Sequence, residues 1–290
     1  MSLRSRLFFF LCIFPAVVSY AQISVTDDLQ RTLRLDTPAR RIVSLAPSIT
    51  ESLFAIGAGS QISGVTDYCN WPPEARRLPR VGGMINPNME ILTLLKPDLI
   101  VMSMEGNMRE DFRKMTSLGW NVFVTNPRTL DGIYQSLLQL GTLTGRADSA
   151  ARVVEGLKNR EALVRAQGRG TPVRVLLVVS IQPLMVAGRN TFLNELISAA
   201  GGYNLATFAA GTYPAYSRET VIANNPDVLL ITSDIVPDVS SLLAEFPEWR
   251  GVAAVRHNRV YRVSADLVSR PGPRALDALE LLSSLLHKNP

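Results

Sequence analysis

Few residues of this chain could do chemistry, and their types and spacing suit recognition better than catalysis. Two glutamates recur in matching frames. Glu90 opens Glu-Ile-Leu-Thr-Leu-Leu-Lys-Pro97-Asp98 ahead of apolar Leu99–Met102; Glu219 opens Glu-Thr-Val-Ile-Ala-Asn-Asn-Pro226-Asp227 ahead of Val228–Ile231. Asn88 and Ser217 are suitable N-caps for the two short helices. Each carboxylate could therefore simply favour a helix dipole, worth about 0.3–1 kcal/mol. Duplicated in this way, the pair also suits docking onto a twofold partner. A looser repeat runs from Thr50-Glu51 to Gly57 and from Asn194-Glu195 to Gly201. Asp266 and Arg270, four residues apart, can form a helix ion pair worth about 0.5 kcal/mol. Trp71 precedes Pro72-Pro73 and can anchor that rigid turn.

The remaining reactive groups are isolated. Cys69 is a possible nucleophile with no histidine near it in sequence, so an exported Cys-dependent enzyme lacks an identified base; a small buried packing residue is the simpler reading. The two histidines, His257 in the polar turn Arg256–Arg259 and His287 near the C-terminus, read as solvated surface residues. A zinc or manganese receptor would need several imidazoles and carboxylates converging. No phosphate-cradling GxxxxGK and no Gly-x-Ser-x-Gly elbow occur, and Gly57-Ala58-Gly59 lacks the rest of a dinucleotide fingerprint. The net charge of +5 is spread along the chain with acidic residues between the arginines, and no basic stripe with interleaved aromatics is present. That excludes nucleic acid as a partner.

The elements that must position these groups alternate in the manner of βα units feeding parallel sheets. Strands are predicted at Arg41–Ala46, Ile62–Thr66, Asp98–Ser103 and Asn121–Thr125, and then at Val173–Ser180, Asp227–Thr232 and Val260–Val263. Between the two sets, Ala147–Gln167 has no proline and carries apolar Ala150, Val153, Val154, Leu157, Leu163 and Val164 at near-helical spacing. It predicts one long helix, ended by Gly168-Arg169-Gly170-Thr171-Pro172. The expected organisation is α/β, with two Rossmann-like lobes, each with a central mainly parallel sheet, at 22–146 and 171–290. A rigid helix at 147–170 joins them.

The chain opens like an exported protein. Arg4 and Arg6 precede an apolar run, Leu7–Val18, and Ser19-Tyr20-Ala21 offers small residues for cleavage after Ala21. The run is about a dozen residues, short of the ~20 needed to cross a bilayer. Cys12 lies too deep in it to become a lipid-modified N-terminus. The expectation is a signal peptide at 1–21 and an unanchored mature chain of about 270 residues, enough for two cores. With one cysteine left, no intramolecular disulfide is available in an oxidising compartment. An unanchored carrier is retained only inside an outer membrane, which points to a periplasm.

The segment Arg41-Ile-Val-Ser-Leu-Ala-Pro-Ser-Ile-Thr-Glu51-Ser-Leu-Phe-Ala-Ile-Gly57 resembles the opening of the helical-backbone (class III) substrate-binding proteins of ABC importers, which carry cobalamin, siderophores and haem. Gly64-Val-Thr-Asp-Tyr68-Cys69-Asn-Trp71-Pro72-Pro73 and Val81-Gly-Gly-Met84-Ile-Asn-Pro-Asn-Met-Glu90 are similar to the cobalamin-binding branch. So are Tyr213-Pro-Ala-Tyr-Ser-Arg-Glu219 and Asp266-Leu-Val-Ser-Arg270-Pro-Gly-Pro-Arg274. The resemblance implies a largely pre-formed cleft in which Tyr68 and Tyr213 meet a corrin from opposite lobes. Asp266 and Arg270 would then serve its amide rim, and Trp71 is either a ligand contact or the turn's anchor. Some cobalamin binders have aromatics where Met84, Ser103 and Met185 align, and Met84 and Met185 could pack adaptably there. The departures leave room for cobinamide or a siderophore. The resemblance also implies that Glu90 and Glu219 pair with arginines on the two subunits of an inner-membrane ABC permease served by its ATPase subunits. The expected protein is a monomer when free, with cobalamin or another corrinoid as cargo, no catalytic residue, no resident cofactor and no metal. A ferric-siderophore or haem receptor is the alternative.

Overall fold

The computed structural model describes residues 22–167 and 170–288; the expected export signal lies outside the described residues. The chain opens with an antiparallel hairpin, β1 (Ile23–Thr26) and β2 (Thr32–Leu35). The first lobe continues through β3 (Ile42–Ser44), α1 (Pro47–Ala55), β4 (Ile62–Val65), α2 (Met89–Leu95), β5 (Leu99–Ser103), α3 (Arg109–Ser117), β6 (Val122–Thr125) and α4 (Leu130–Thr144). Its four-stranded sheet is ordered β4-β3-β5-β6 and is wholly parallel. After α5 (Ala147–Gln167) the second lobe runs β7 (Val173–Ile181), β8 (Leu184–Val186), α6 (Phe192–Ala199), β9 (Gly202–Asn204), α7 (Arg218–Asn224) and β10 (Val228–Thr232). It ends with α8 (Val239–Glu245), α9 (Ala253–Arg256), β11 (Val260–Val263), α10 (Ala265–Val268) and α11 (Ala275–Leu286). Strands β11, β10 and β7 are parallel; β9 lies parallel to the start of β7 and β8 folds back antiparallel along its end.

The two sheets are separate, as the sequence predicts, and the joining helix is continuous over Ala147–Gln167. The seven predicted strands form; the first is three residues shorter than predicted, four others are shorter by one residue, and β7 is one residue longer. Asp98 and Asp227 stand just outside β5 and β10 because their side chains cap the neighbouring strand instead. The Asp98 carboxylate accepts from the backbone N–H groups of Arg40 (2.7 Å) and Arg41 (3.0 Å), and Asp227 accepts from Arg174 N–H (3.1 Å). Arg41 in turn donates to the carbonyls of Leu95 and Lys96 at the end of α2, and Arg174 to those of Asn224 and Asn225 at the end of α7. Lys96 and Asn225 both adopt the left-handed conformation that stops the helix ahead of the proline, with φ of 46° and 40°. The Pro-Asp repeat is thus one structural module built twice. The hairpin β1–β2 and the short strands β8 and β9 escape sequence reading, since three or four residues carry too little periodicity.

Packing follows from the joining helix. One apolar core includes Ala150, Val154, Leu157 and Val164 of α5, and runs from Leu137 and Leu140 of α4 to Ile197 of α6 and Leu279 of α11. Polar ties reinforce both sides: Tyr134 Oη donates to Glu161 at 2.7 Å, and Arg160 bonds Asp277 at 2.7 Å and Glu280 at 2.8 Å. Separate cores fill the other face of each sheet, around Ile100 and Met115 in one lobe and Trp249 stacked on Phe246 in the other. No helix among the described residues is long and apolar enough to cross a membrane.

Two glycines test this packing in opposite directions. A Cβ on Gly141 of α4 would stand 2.5 Å from the Ala150 Cβ of α5, whereas one on Gly156, in mid-α5, meets nothing within 4 Å. Gly141→Ala is expected to cost about 1–3 kcal/mol by prising α4 from α5. Gly156→Ala should stabilise by up to about 1 kcal/mol through helix propensity alone. Urea denaturation of the two variants measures both signs.

Candidate functional site

The carboxyl ends of the parallel strands in both lobes carry the loops of interest, which is where open α/β sheets place ligand crevices. From the first lobe come the N-terminus of α1 after β3, the loop Thr66–Trp71 after β4, Met104–Met108 after β5 and Asn126–Thr129 after β6. From the second come the segment 205–217 after β9 and Ser264–Arg274 after β11.

The loop bearing Tyr68 and Trp71 is held by arginines. Arg80 donates to Thr66 O (2.8 Å) and Cys69 O (2.9 Å), Arg76 to Asn70 O (3.1 Å), and Arg270 of the other lobe to Tyr68 O (3.4 Å). So fixed, the Tyr68 ring stands 61% exposed and Trp71 44% exposed. Cys69 between them is fully buried, with the hydroxyls of Thr50 and Thr66 at 3.1 and 3.2 Å from Sγ. It is a packing residue, enclosed from any substrate.

Asp266 and Arg270 form the expected i,i+4 ion pair at 2.5 Å. They do more than that spacing requires. Arg270 Nη1 reaches into the first lobe, 2.9 Å from Glu51 Oε1 and 2.7 Å from Asn70 Oδ1, while Asn70 Nδ2 donates to Asp266 Oδ2 at 2.8 Å. Arg274 approaches the same Glu51 oxygen at 3.5 Å and lies over the Trp71 ring, 4.6 Å from its centroid. Burial pushes the Glu51 carboxyl up from the usual carboxylate range, while the hydrogen bond from Arg270 and the charges of Arg270 and Arg274 pull it back. Trp71 is therefore part of an interlobe stack as well as the residue before Pro72.

Next to Tyr68 the wall continues into the first lobe's glycine and methionine loop. A Cβ on Gly83 would touch the Tyr68 ring at 4.0 Å, and one on Gly106 would fall 2.0 Å from the Met84 methyl. Met84 therefore lies flat on Gly106. Asn107 fixes this arrangement, donating to Leu45 O (3.0 Å) and Met84 O (2.7 Å) while accepting from Ser103 N–H (2.7 Å). In the second lobe, Tyr213 is 39% exposed, and burial and then the charge of Glu105 push its phenol up, against the pull of Arg128. Arg128 pairs with Glu105 at 3.2 Å and donates to Asn190 O of the other lobe at 3.4 Å. Met185, half-buried on β8, bridges in antiparallel fashion to Ala215, two residues from Tyr213.

Asp266 and Arg270 thus meet the loop of Tyr68 and Trp71 at one contact between the lobes, Met84 lies beside that loop, and Tyr213 lies near Glu105 and Arg128. Glu90 and Glu219 lie apart from these groups, exposed in the first turns of α2 and α7. Asn88 caps the first helix through Glu90 N–H (3.0 Å) and Ile91 N–H (3.1 Å), and Ser217 the second through Thr220 N–H (3.1 Å). Hydrogen bonds from its own backbone N–H and from the Ser217 hydroxyl hold the Glu219 carboxyl below the usual range. Exposed Leu94 and Ile222 accompany the two glutamates on their helices. Sequence reading did not assign Asn70, Arg128, Asn107 or Arg274 to the site, and Glu51 entered it only as half of a loose repeat. His287 bonds Ala200 O at 3.1 Å and His257 ends α9, on the far side of β11 from the crevice loops.

The profile of the periplasmic binding protein family matches residues 42–267. A vitamin B12-binding protein of Vibrio cholerae serotype O1 is 30% identical over 251 residues, covering 86% of this chain and 90% of its own. The crystal structure of the periplasmic vitamin B12 binding protein BtuF of Vibrio cholerae superposes with a TM-score of 0.78 at 29% identity, over 86% of this chain and 97% of that one. The periplasmic heme-binding protein RhuT from Roseiflexus sp. RS-1, in apo form, reaches the same TM-score at 29% identity, over 86% and 98% of the two chains. With a profile spanning most of its length and two matching α/β lobes around a crevice, the chain belongs to the periplasmic binding protein family.

Proposed function

We propose that this protein captures cobalamin or a related corrinoid in the crevice between its lobes and hands it to an inner-membrane ABC permease, acting in the periplasm after loss of its signal peptide. The observation that supports the reading is a pair of exposed tyrosines, Tyr68 and Tyr213, contributed by the two lobes, with an Asp–Arg–Asn cluster at the Tyr68 loop. A corrin is a broad plate with an apolar face and an amide rim. Aromatic rings and the Met84 thioether cover the face, and Asp266, Asn70 and Arg270 offer acceptors and donors to the rim. The nature of the B12-binding relatives supports the same cargo. A corrinoid also brings the axial groups of its own cobalt, so it asks no ligand of the protein.

Haem is the second reading, favoured by the likeness to the Roseiflexus protein. No histidine stands in the crevice, so haem iron would have to take a tyrosine phenolate or a methionine thioether. Titration of the purified protein with cyanocobalamin is expected to give 1:1 binding near nanomolar Kd, about −12 kcal/mol. No heat above buffer, with a Soret band developing on haem addition, would transfer the assignment to haem. Tyr68→Ala should weaken the corrinoid complex by roughly tenfold or more, since a buried aromatic contact is worth on the order of 1–3 kcal/mol.

The exposed carboxylates of Glu90 and Glu219 supply matching negative points on the two lobes, suited to arginines on a twofold permease. Exposed pairs contribute only about 0.2–1 kcal/mol each, so they set register and encounter more than affinity. A Glu90→Ala/Glu219→Ala variant is expected to bind cyanocobalamin as the wild type does and to support corrinoid uptake poorly. Loss of binding by the folded variant would remove the docking role.

A further inference from the structure

The two lobes are joined by very different contacts at the two ends of the crevice. At one end the Glu51 side chain is 1% exposed and Arg270 10% exposed, and their contact is the buried centre of a cluster that also binds Asn70, Asp266 and Arg274. Backbone packs tightly there too, since a Cβ on Gly272 would come within 3.2 Å of Ser48 O. At the other end a single exposed side-chain hydrogen bond among the described residues, 3.4 Å from Arg128 to Asn190 O, joins the lobes. The second Glu51 oxygen, Oε2, is buried without a partner, so this carboxylate is held where it is by Arg270 and Arg274 rather than by its own lobe.

We infer that Glu51 is a positioning residue: its buried carboxylate fixes the Arg270 guanidinium and so latches the lobes at the Asn70–Asp266 end. The crevice then opens at the Arg128–Asn190 end. The chain of contacts is direct. Glu51 fixes Arg270, Arg270 orients the Asn70 amide and the Asp266 carboxylate, and Asn70 closes the ring to Asp266. A ligand approaching from the open end meets Asp266, Asn70 and Tyr68 already set. Removing the Glu51 charge leaves the guanidinium anchored only to groups at the rim, and the ring loses its inner support.

Spin-label pairs read the two ends without any ligand. Exposed Glu74→Cys with Ser269→Cys spans the latched end, and exposed Asp131→Cys with Arg189→Cys spans the other; native Cys69 is buried and stays unlabelled. In the ligand-free protein the first pair is expected to give a narrow distance distribution and the second a broader one. Glu51→Gln should broaden the first pair to resemble the second, and weaken cyanocobalamin by about tenfold, the scale of one hydrogen bond to a charged group. An unchanged first distribution in folded Glu51→Gln overturns the latch. If Glu51→Gln does not fold, Asn70→Ala at the rim takes its place: broadening supports the latch and an unchanged distribution overturns it. The affinity arm rests on the corrinoid reading and the distance arm does not. Broadening with no cyanocobalamin heat in the wild type leaves the latch standing and removes only that cargo.

Discussion

Everything in this molecule that faces the crevice depends on the distance between two sets of strand ends, and one helix sets that distance. α5 contributes Ala150, Val154, Leu157 and Val164 to a core continuous from α4 in the first lobe to α6 and α11 in the second. A helix buried in this way cannot bend without exposing apolar surface at about 25 cal/mol per Å². The charged ties from Arg160 to α11 and from Tyr134 to Glu161 lie along the same helix. Large hinge motion of the kind a flexible linker permits is therefore costly here, which leaves only smaller adjustments between the crevice loops.

Within that frame each lobe is assembled from the same local device. An arginine at the start of the first strand covers the carbonyls that end a helix, and the aspartate after the proline covers the N–H groups that start the strand. The two groups satisfy donors and acceptors that a helix end and a strand start would otherwise leave open. The helices so fixed are α2 and α7, which present Glu90 and Glu219. Equivalent exposure of the two glutamates follows from construction by one rule rather than from direct contact between the lobes.

How much of this is legible in the sequence depends on the range of the interaction. The Pro-Asp repeat, the long proline-free helix and the strand periodicity are local, and they give the two-lobe architecture, the joining helix and the exposed glutamates. The spacing of Asp266 and Arg270 likewise gives their ion pair. It cannot give the partner that matters most, because Glu51 lies 219 residues away from Arg270. The Glu51/Glu195 repeat even points the wrong way. Glu195 is partly exposed and meets Arg165 of α5 at 3.7 Å, whereas Glu51 is enclosed between the lobes. Asn70 and Asn107 carry no local signal at all, since an asparagine in a loop reads as a turn residue. The ligand-facing roles of Tyr68, Tyr213, Met84 and Met185 rest on resemblance, because a cleft wall is assembled from loops far apart in sequence.

A buried carboxylate bound to arginine is a poor way to gain stability. Desolvating both charges costs about as much as their attraction returns, and an apolar pair of similar volume is often as good or better. Such a pair is nonetheless directional, because losing either partner leaves an uncompensated charge at a cost of about 3–5 kcal/mol. Two apolar surfaces could slide past one another with little penalty; Glu51 and Arg270 cannot. Placed between the lobes, the pair converts a general preference for contact into one register. That register also determines where Asn70 and Asp266 stand at the rim. The protein thus places its least forgiving interaction where a change in lobe spacing would most alter the recognition surface.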